Sequence, residues 1–316
     1  LNLTQRLGKI AILGQPPRMT FNIMVDGDSK MKKALMTGFS IVIFSLVSGP
    51  AAARTGSVKT FVSILPQAYF VERVGGSYVD VEVLVGPGQS PATYEPTPKQ
   101  MARLGEAEVY FRIGTPFEKG FIDKLADTHK HLEIVDTRKG VSLRYFKRSK
   151  GGSIPDPHIW LDPGRVKIQA VTICETLIRL APDRRSFFEN NLRSFQADLD
   201  RVDENIAETL APLKGSKFYV FHPAFGYFGD RYGLEQVAVE IEGKEPSPKQ
   251  LSNLINKARN EGVRVIFVQP QYAKKDAETI AREIGGAVVP MNPLPREYLE
   301  NLEHMASLLK KALMRK

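Results

Sequence analysis

The chain has one cysteine, one tryptophan and five histidines in 316 residues. The lone Cys174 excludes an intrachain disulfide, and its place in an amphipathic helical pattern predicts a packed thiol. No HExxH, no glycine-rich phosphate loop and no nucleophile elbow occurs, which argues against a zinc hydrolase, a nucleotide-dependent enzyme and a serine hydrolase alike. Basic residues exceed acidic ones, for a formal charge of +9, but the excess is spread along the chain. The only tight basic knot is Lys147, Arg148 and Lys150, which reads as a solvated loop, so a nucleic-acid partner is not expected. Long hydrophobic runs are missing too, with one exception.

That exception is residues 34–47, ALMTGFSIVIFSLV. Lys32 and Lys33 precede it, and Gly49-Pro50 and the small residues Ala51, Ala52 and Ala53 follow. This is the layout of a secretory signal, and the run is shorter than the roughly 20 residues a bilayer-spanning helix needs. Cleavage after Ala53 is expected, with Met31 as the true start and residues 1–30 set aside from the fold. Removing residues 1–53 takes away Arg6, Lys9, Arg18, Lys30, Lys32 and Lys33 against Asp26 and Asp28, so the exported chain is milder in charge. No cysteine stands at the cleavage point to carry a lipid, and a chain of this size buries a core without staples, so a soluble periplasmic monomer is expected.

From Val58 onward, strand-like and helix-like segments alternate, the pattern of an α/β architecture with mainly parallel sheets. Strands are predicted at Thr60–Leu65, Val79–Val85, Val109–Ile113, Leu132–Asp136, Phe218–His222, Gln236–Ile241, Val263–Val268 and Ala287–Pro290. A long helical stretch over 182–213 interrupts the alternation. Pro182 opens it, Phe188, Leu192, Phe195, Leu199, Val202 and Ile206 recur every three or four residues, and its span is roughly 45 Å at 1.5 Å per residue. It is read as a connector between two Rossmann-like lobes, 54–181 and 214–316.

An internal echo supports two lobes built alike. Glu95 to Gln100 reads EPTPKQ and Glu245 to Gln250 reads EPSPKQ. Each is a helix start, with Thr97 or Ser247 at the N-cap, Pro98 or Pro248 at N1, and Gln100 or Gln250 closing a capping box.

Two histidines stand where a cleft is expected. His158 lies in DPHIWLDP, in an extended segment just before a helix capped by Asp162 with Pro163 at N1. His222 lies in FHPAFGYF, directly after the strand FYVF, where the carboxyl end of a parallel strand faces a crevice. By contrast His129 and His131, in THKHLEI, sit among charged residues and read as a solvated connection, and His304 falls in the terminal helix.

The ordered blocks SILPQAYFVERVGG, GPGQSPATYEPTPKQM, YFRIGTPFE, DPHIWLDP, FHPAFGYFGDRYGL, VEIEGKEPSPKQL and IFVQPQY resemble the zinc and manganese substrate-binding proteins of ABC importers. The resemblance implies two α/β lobes joined by one rigid long helix, limited closure on binding, and a divalent transition metal, zinc or manganese, held between the lobes and delivered to a membrane permease. It also implies four ligands. Two match, His158 and His222. The histidine expected before YEPTP is Ala92, and the carboxylate expected near the last strand is Asn292. Glu95, Tyr94, Glu240, Glu242, Gln269 and Asn292 are the candidate substitutes, with Glu95 and Asn292 as weak ligands. A tight tetrahedral site takes four donors, so the two departures open a second reading with the same fold and transport role, in which the cargo is a chelated metal or another small polar solute. The His- and acid-rich loop common among zinc-specific relatives is absent; YFKRSKGGSIPD, residues 145–156, is short and basic.

Overall fold

The computed structural model describes residues 56–147, 151–240, 246–272 and 275–314. The expected signal segment, Glu242, and Arg148 and Lys150 of the basic knot lie outside the described residues. Among the described residues no helix is long and apolar enough to cross a membrane.

The chain folds as two α/β lobes. Strands β1 (Val58–Ile64), β2 (Val79–Val85), β3 (Val109–Arg112) and β4 (Glu133–Asp136) make one parallel sheet in the order β2-β1-β3-β4. Helices α1 (Leu65–Gly75), α2 (Pro98–Leu104) and α3 (Ile122–Thr128) connect them. A short antiparallel hairpin, β5 (Tyr145–Lys147) with β6 (Ser153–Pro155), follows, and then helices α4 (Pro163–Leu180) and α5 (Arg185–Leu210). The second sheet is also parallel, built from β7 (Lys217–Val220), β8 (Glu235–Ala238), β9 (Val265–Val268) and β10 (Ala287–Pro290) in the order β10-β9-β7-β8. Its helices are α6 (Gly226–Tyr232), α7 (Pro248–Asn260), α8 (Lys275–Glu283) and the terminal α9 (Tyr298–Leu313).

Counted within each lobe, both sheets run 2-1-3-4. The echoed hexapeptides fall at equivalent places, each starting the helix that joins the second strand to the third. Both capping boxes form: the Thr97 hydroxyl accepts from the Gln100 amide, the Ser247 hydroxyl from the Gln250 amide, and each glutamine side chain accepts from the cap's own N–H. The repeated sequence thus marks a repeated piece of topology. The long helical pattern resolves into a 3-10 turn at Pro182–Arg184, α5 itself, and a second turn at Ala211–Leu213. The α5 stripe of Phe188, Phe195, Leu199, Val202, Ile206 and Leu210 is buried, and each large apolar side chain so covered contributes on the order of 2 kcal/mol.

Helix α5 packs on α1 and α4 of the first lobe and on α9 and α6 of the second. Period-two alternation sends the two faces of β7 into different cores. Phe218 and Val220 join a core that is continuous with the first lobe, whereas Tyr219 and Phe221 join a smaller one under α7 and α8. The lobes therefore share most of one core. Tyr298, at the start of α9, is buried against Phe70 of α1, ring centroids 4.7 Å apart, and its hydroxyl donates to the Trp160 carbonyl at 2.6 Å. Cys174 is buried on α4, and desolvation pushes its thiol up to about 11, an inert packed group.

Candidate metal centre between the lobes

In a 2-1-3-4 parallel sheet the connections leave in opposite directions from the first and third strands, and the crevice at their carboxyl ends is where such sheets hold ligands. In the second lobe that point lies between β7 and β9. The register pairing Val220 with Ala238 continues two residues further, so that His222 comes to lie beside Glu240, whose amide donates to the Phe221 carbonyl. The result is an imidazole whose Nδ1 stands 2.6 Å from Glu240 Oε2. Gln269, following β9, clamps the same residue by its backbone: its Oε1 accepts from the His222 N–H and its Nε2 donates to the His222 carbonyl. The Tyr272 ring stacks on the imidazole at 4.7 Å and 18°.

The corresponding point of the first lobe, between β1 and β3, is filled by protein. Glu118 is fully buried there and accepts from Ser63 Oγ, the Ile113 and Gly114 amides and Thr115 Oγ1, with Arg112 3.3 Å away. Gln67 bridges the Ser63 amide and the Phe111 carbonyl much as Gln269 bridges in the second lobe. Burial, with Glu118 close by, pushes the Tyr110 hydroxyl well above its ordinary value. The first lobe contributes its histidine from elsewhere, the segment after the β5–β6 hairpin.

That segment is a tight local construction. Asp156 Oδ1 accepts from both the His158 amide, at 3.0 Å, and His158 Nδ1, at 2.7 Å. Tyr227 of α6 donates its hydroxyl to the Asp156 carbonyl and accepts from the Arg144 amide, which ties the segment to the second lobe. Asp162 caps α4 by accepting from the Gly164 amide, with Pro163 at N1. Trp160 lies 5.1 Å from the His158 ring and donates its Nε1–H to the Pro293 carbonyl.

These supports bring the two imidazoles face to edge, Nε2 to Nε2, at 3.3 Å. A carboxylate cannot donate, so Asp156 and Glu240 each hold a proton on the adjoining Nδ1, and a neutral ring then presents a bare lone pair at Nε2. Two lone pairs so close repel unless a proton or a cation lies between them. Burial disfavours a charge on His222, Glu240 pulls the other way and His158 adds repulsion, and the balance holds its pKa below the ordinary value. A cation placed between them would be held by both lone pairs. Two nitrogens each bonded at 2.0–2.1 Å to a tetrahedral ion stand about 3.3–3.4 Å apart, and a right-angled arrangement with the same bonds gives about 2.9 Å. The observed gap fits the tetrahedral case. Behind the rings, buried Asp156 and Glu240 supply two negative charges against the two positive charges of such an ion, the arrangement that orients metal-binding imidazoles and raises their basicity.

Asn292 Oδ1 accepts from Gln271 Nε2 at 2.9 Å and from the Leu294 amide at 3.1 Å. Tyr94 donates to Gln100, and Glu95 and Ala92 are exposed on the loop that leads into α2. Among the described residues no group of three or more His, Cys, Asp or Glu side chains converges as a metal cluster. Glu240 and Gln269 hold His222 in place. Sequence reasoning did not single out Asp156, Tyr272 or Trp160; the DPH tripeptide at 156–158 carried the signal for the first, since an aspartate two residues before a histidine can fold back on its ring. His131 Nε2 is engaged 2.7 Å from the Gly105 carbonyl, far in sequence from the pair.

Fold and site together belong to the class of two-lobed binding proteins. A family model described as "Zinc-uptake complex component A periplasmic" (ZnuA) matches residues 61–312, and the chain belongs to that family. The High-affinity zinc uptake system protein ZnuA of Bacillus subtilis is 25% identical over 264 residues, 79% of this chain and 82% of that protein. The Zinc-binding lipoprotein AdcA of Streptococcus pneumoniae is 26% identical over 279 residues, 84% of this chain but 56% of that longer protein. A crystal structure of ZnuA superposes with a TM-score of 0.77 at 39% identity, covering 81% of this chain and 99% of that one. The Zn(II)-bound ZnuA-like domain of Streptococcus pneumoniae AdcA superposes with a TM-score of 0.68 at 27% identity, covering 81% and 99%.

Proposed function

We propose that this chain captures zinc between its lobes in the periplasm and passes it to the permease and ATPase of an ABC importer, without catalysing a reaction. The observation that carries the reading is the pair of Nε2 atoms at 3.3 Å, each imidazole backed by a buried carboxylate. His158 and His222 are the ligands, and Asp156 and Glu240 position them. Imidazole donors in a tetrahedral spacing favour zinc over manganese, which prefers carboxylate and water oxygens. The zinc-uptake relatives support the same cargo. Residues 54–181 and 214–316 serve as the lobes and 182–213 as the connector; the chain acts as a monomer released by cleavage after Ala53.

Zinc content and affinity of the exported protein, purified without a histidine tag and titrated against a competing chelator, test this reading. His158→Ala and His222→Ala are each expected to abolish zinc retention. Unchanged affinity in both variants overturns it.

A further inference from the structure

We propose, resting on the metal-capture reading, that Arg144 is a positioning residue for His158: seated on α6 of the second lobe, it fixes the Asp156 carboxylate and thereby aims the imidazole at its partner. Arg144 stands just before β5. The hairpin register pairs Tyr145 with Pro155, and one step further it sets Arg144 opposite Asp156, whose amide donates to the Arg144 carbonyl at 2.9 Å. Side chains directly opposite each other on paired strands are close neighbours, and here they carry opposite charges. Asp156 is fully buried, and its bonds to the amide and to Nδ1 of His158 both use Oδ1. Its Oδ2 accepts no hydrogen bond among the described residues, and Arg144 Nε, buried and likewise without a hydrogen-bond partner, faces it at 3.6 Å. A carboxylate buried with one oxygen unused is costly unless a countercharge stands beside it. The guanidinium is that countercharge.

The other side of the guanidinium is held by the second lobe. Nη1 donates to the Gly226 carbonyl at 3.0 Å and pairs with Asp230, and the Arg144 amide donates to the Tyr227 hydroxyl, all three residues belonging to α6. Gly226 leaves the room this needs, because a Cβ there would lie 2.8–2.9 Å from Nε, Cζ and Nη2 of Arg144. Helix α6 begins four residues after His222, so the element behind one imidazole anchors the arginine behind the other. A guanidinium presents its donors in a rigid planar fork, and contacts therefore run unbroken from α6 through Arg144 and Asp156 to His158. Without the guanidinium a gap opens beside Asp156, water enters it, and the carboxylate turns toward the water and releases Nδ1. The ring is then free to carry its proton on Nε2, where the ion binds.

The test uses the exported protein, stripped of metal with EDTA and desalted, as parent, Arg144→Ala and Gly226→Ala. Gly226→Ala keeps every polar side chain and only displaces the guanidinium, so it carries the test if Arg144→Ala fails to fold; melting curves of the metal-free proteins report folding. Zinc affinity is read by chelator competition. Long-range proton–nitrogen NMR of the metal-free proteins at neutral pH reads the His158 tautomer, its signal assigned by its loss in His158→Gln. The expected result is a loss of about tenfold in zinc affinity in each folded variant, with His158 passing from the Nδ1–H form to a mixture of tautomers. In an Asp156→Ala background, Arg144→Ala should change the affinity by less than about twofold, because the carboxylate it holds has gone. Affinity within twofold of the parent in the folded variants, or an undiminished loss in the Asp156→Ala background, overturns the proposal and leaves the metal-capture reading intact. A parent that retains no zinc overturns the metal-capture reading, and an unchanged His158 tautomer in the variants then overturns the role of Arg144 as well.

Discussion

Glu240→Gln isolates the contribution of one buried carboxylate to the proposed ligand His222. Glu240 is 8% exposed and its Oε2 is 2.6 Å from His222 Nδ1, short enough for a charge-assisted bond. Glutamine keeps the shape but removes the charge, and if its NH2 turns toward Nδ1 the imidazole must place its proton on Nε2, where the ion binds. Loss of such a partner costs about 10- to 100-fold in metal affinity, or about 1.4–2.7 kcal/mol. Zinc affinity by chelator competition measures it, with the melting temperature of the metal-free protein as a control for folding. An affinity for zinc within twofold of the parent in the variant refutes the assignment of Glu240 as a positioning residue.

Glu118→Ala leaves the donors of Ser63, Ile113, Gly114 and Thr115 facing an apolar void and is expected to cost about 3–5 kcal/mol in denaturant unfolding, and a loss below 1 kcal/mol refutes the buried network. Ser247→Ala removes an N-cap from α7 and should lower stability by about 1 kcal/mol, or about 2–4 °C in melting temperature, whereas Ser247→Asp should largely preserve it. Because the folded metal-free protein holds the His222 pKa below its ordinary 6.5, the unfolded chain takes up a proton that the folded chain refuses. The contribution of this group is complete above pH 6.5 and declines as the pH falls below it. Melting curves of metal-free parent and His222→Gln between pH 7.5 and 5.5 should therefore diverge on the acid side, the parent losing more, and parallel curves count against a buried neutral imidazole.

Much of the fold was legible because its strongest signals are local. Eight strands, the capping boxes at Thr97 and Ser247 and the Asp162–Pro163 start of α4 all follow from short-range pattern and cap chemistry. The β5–β6 hairpin was not, since its three-residue strands are largely exposed and lie in a basic stretch with no alternation to read. At the site, both histidines stood out from the segments around them. What surrounds them did not. The pairing of Glu240 with His222 depends on the register of β7 against β8, and that of His158 with His222, 64 residues apart in sequence, on the packing of the two lobes. Gln269 illustrates the limit: its residue type suggested a ligand, but its neighbours use both ends of its amide to tie two strand ends together.

The last helix has a bearing on how the protein can be made. Tyr298 fills a hole lined by Phe70, near the beginning of the chain, and α9 covers one side of α5. A polypeptide that emerges amino end first, from a ribosome or a translocation channel, therefore lacks the plug for its first lobe until nearly all of it has appeared. The lobes cannot mature one after the other as independent domains commonly do. A chain cut short before Tyr298 leaves uncovered the apolar surface that this ring closes.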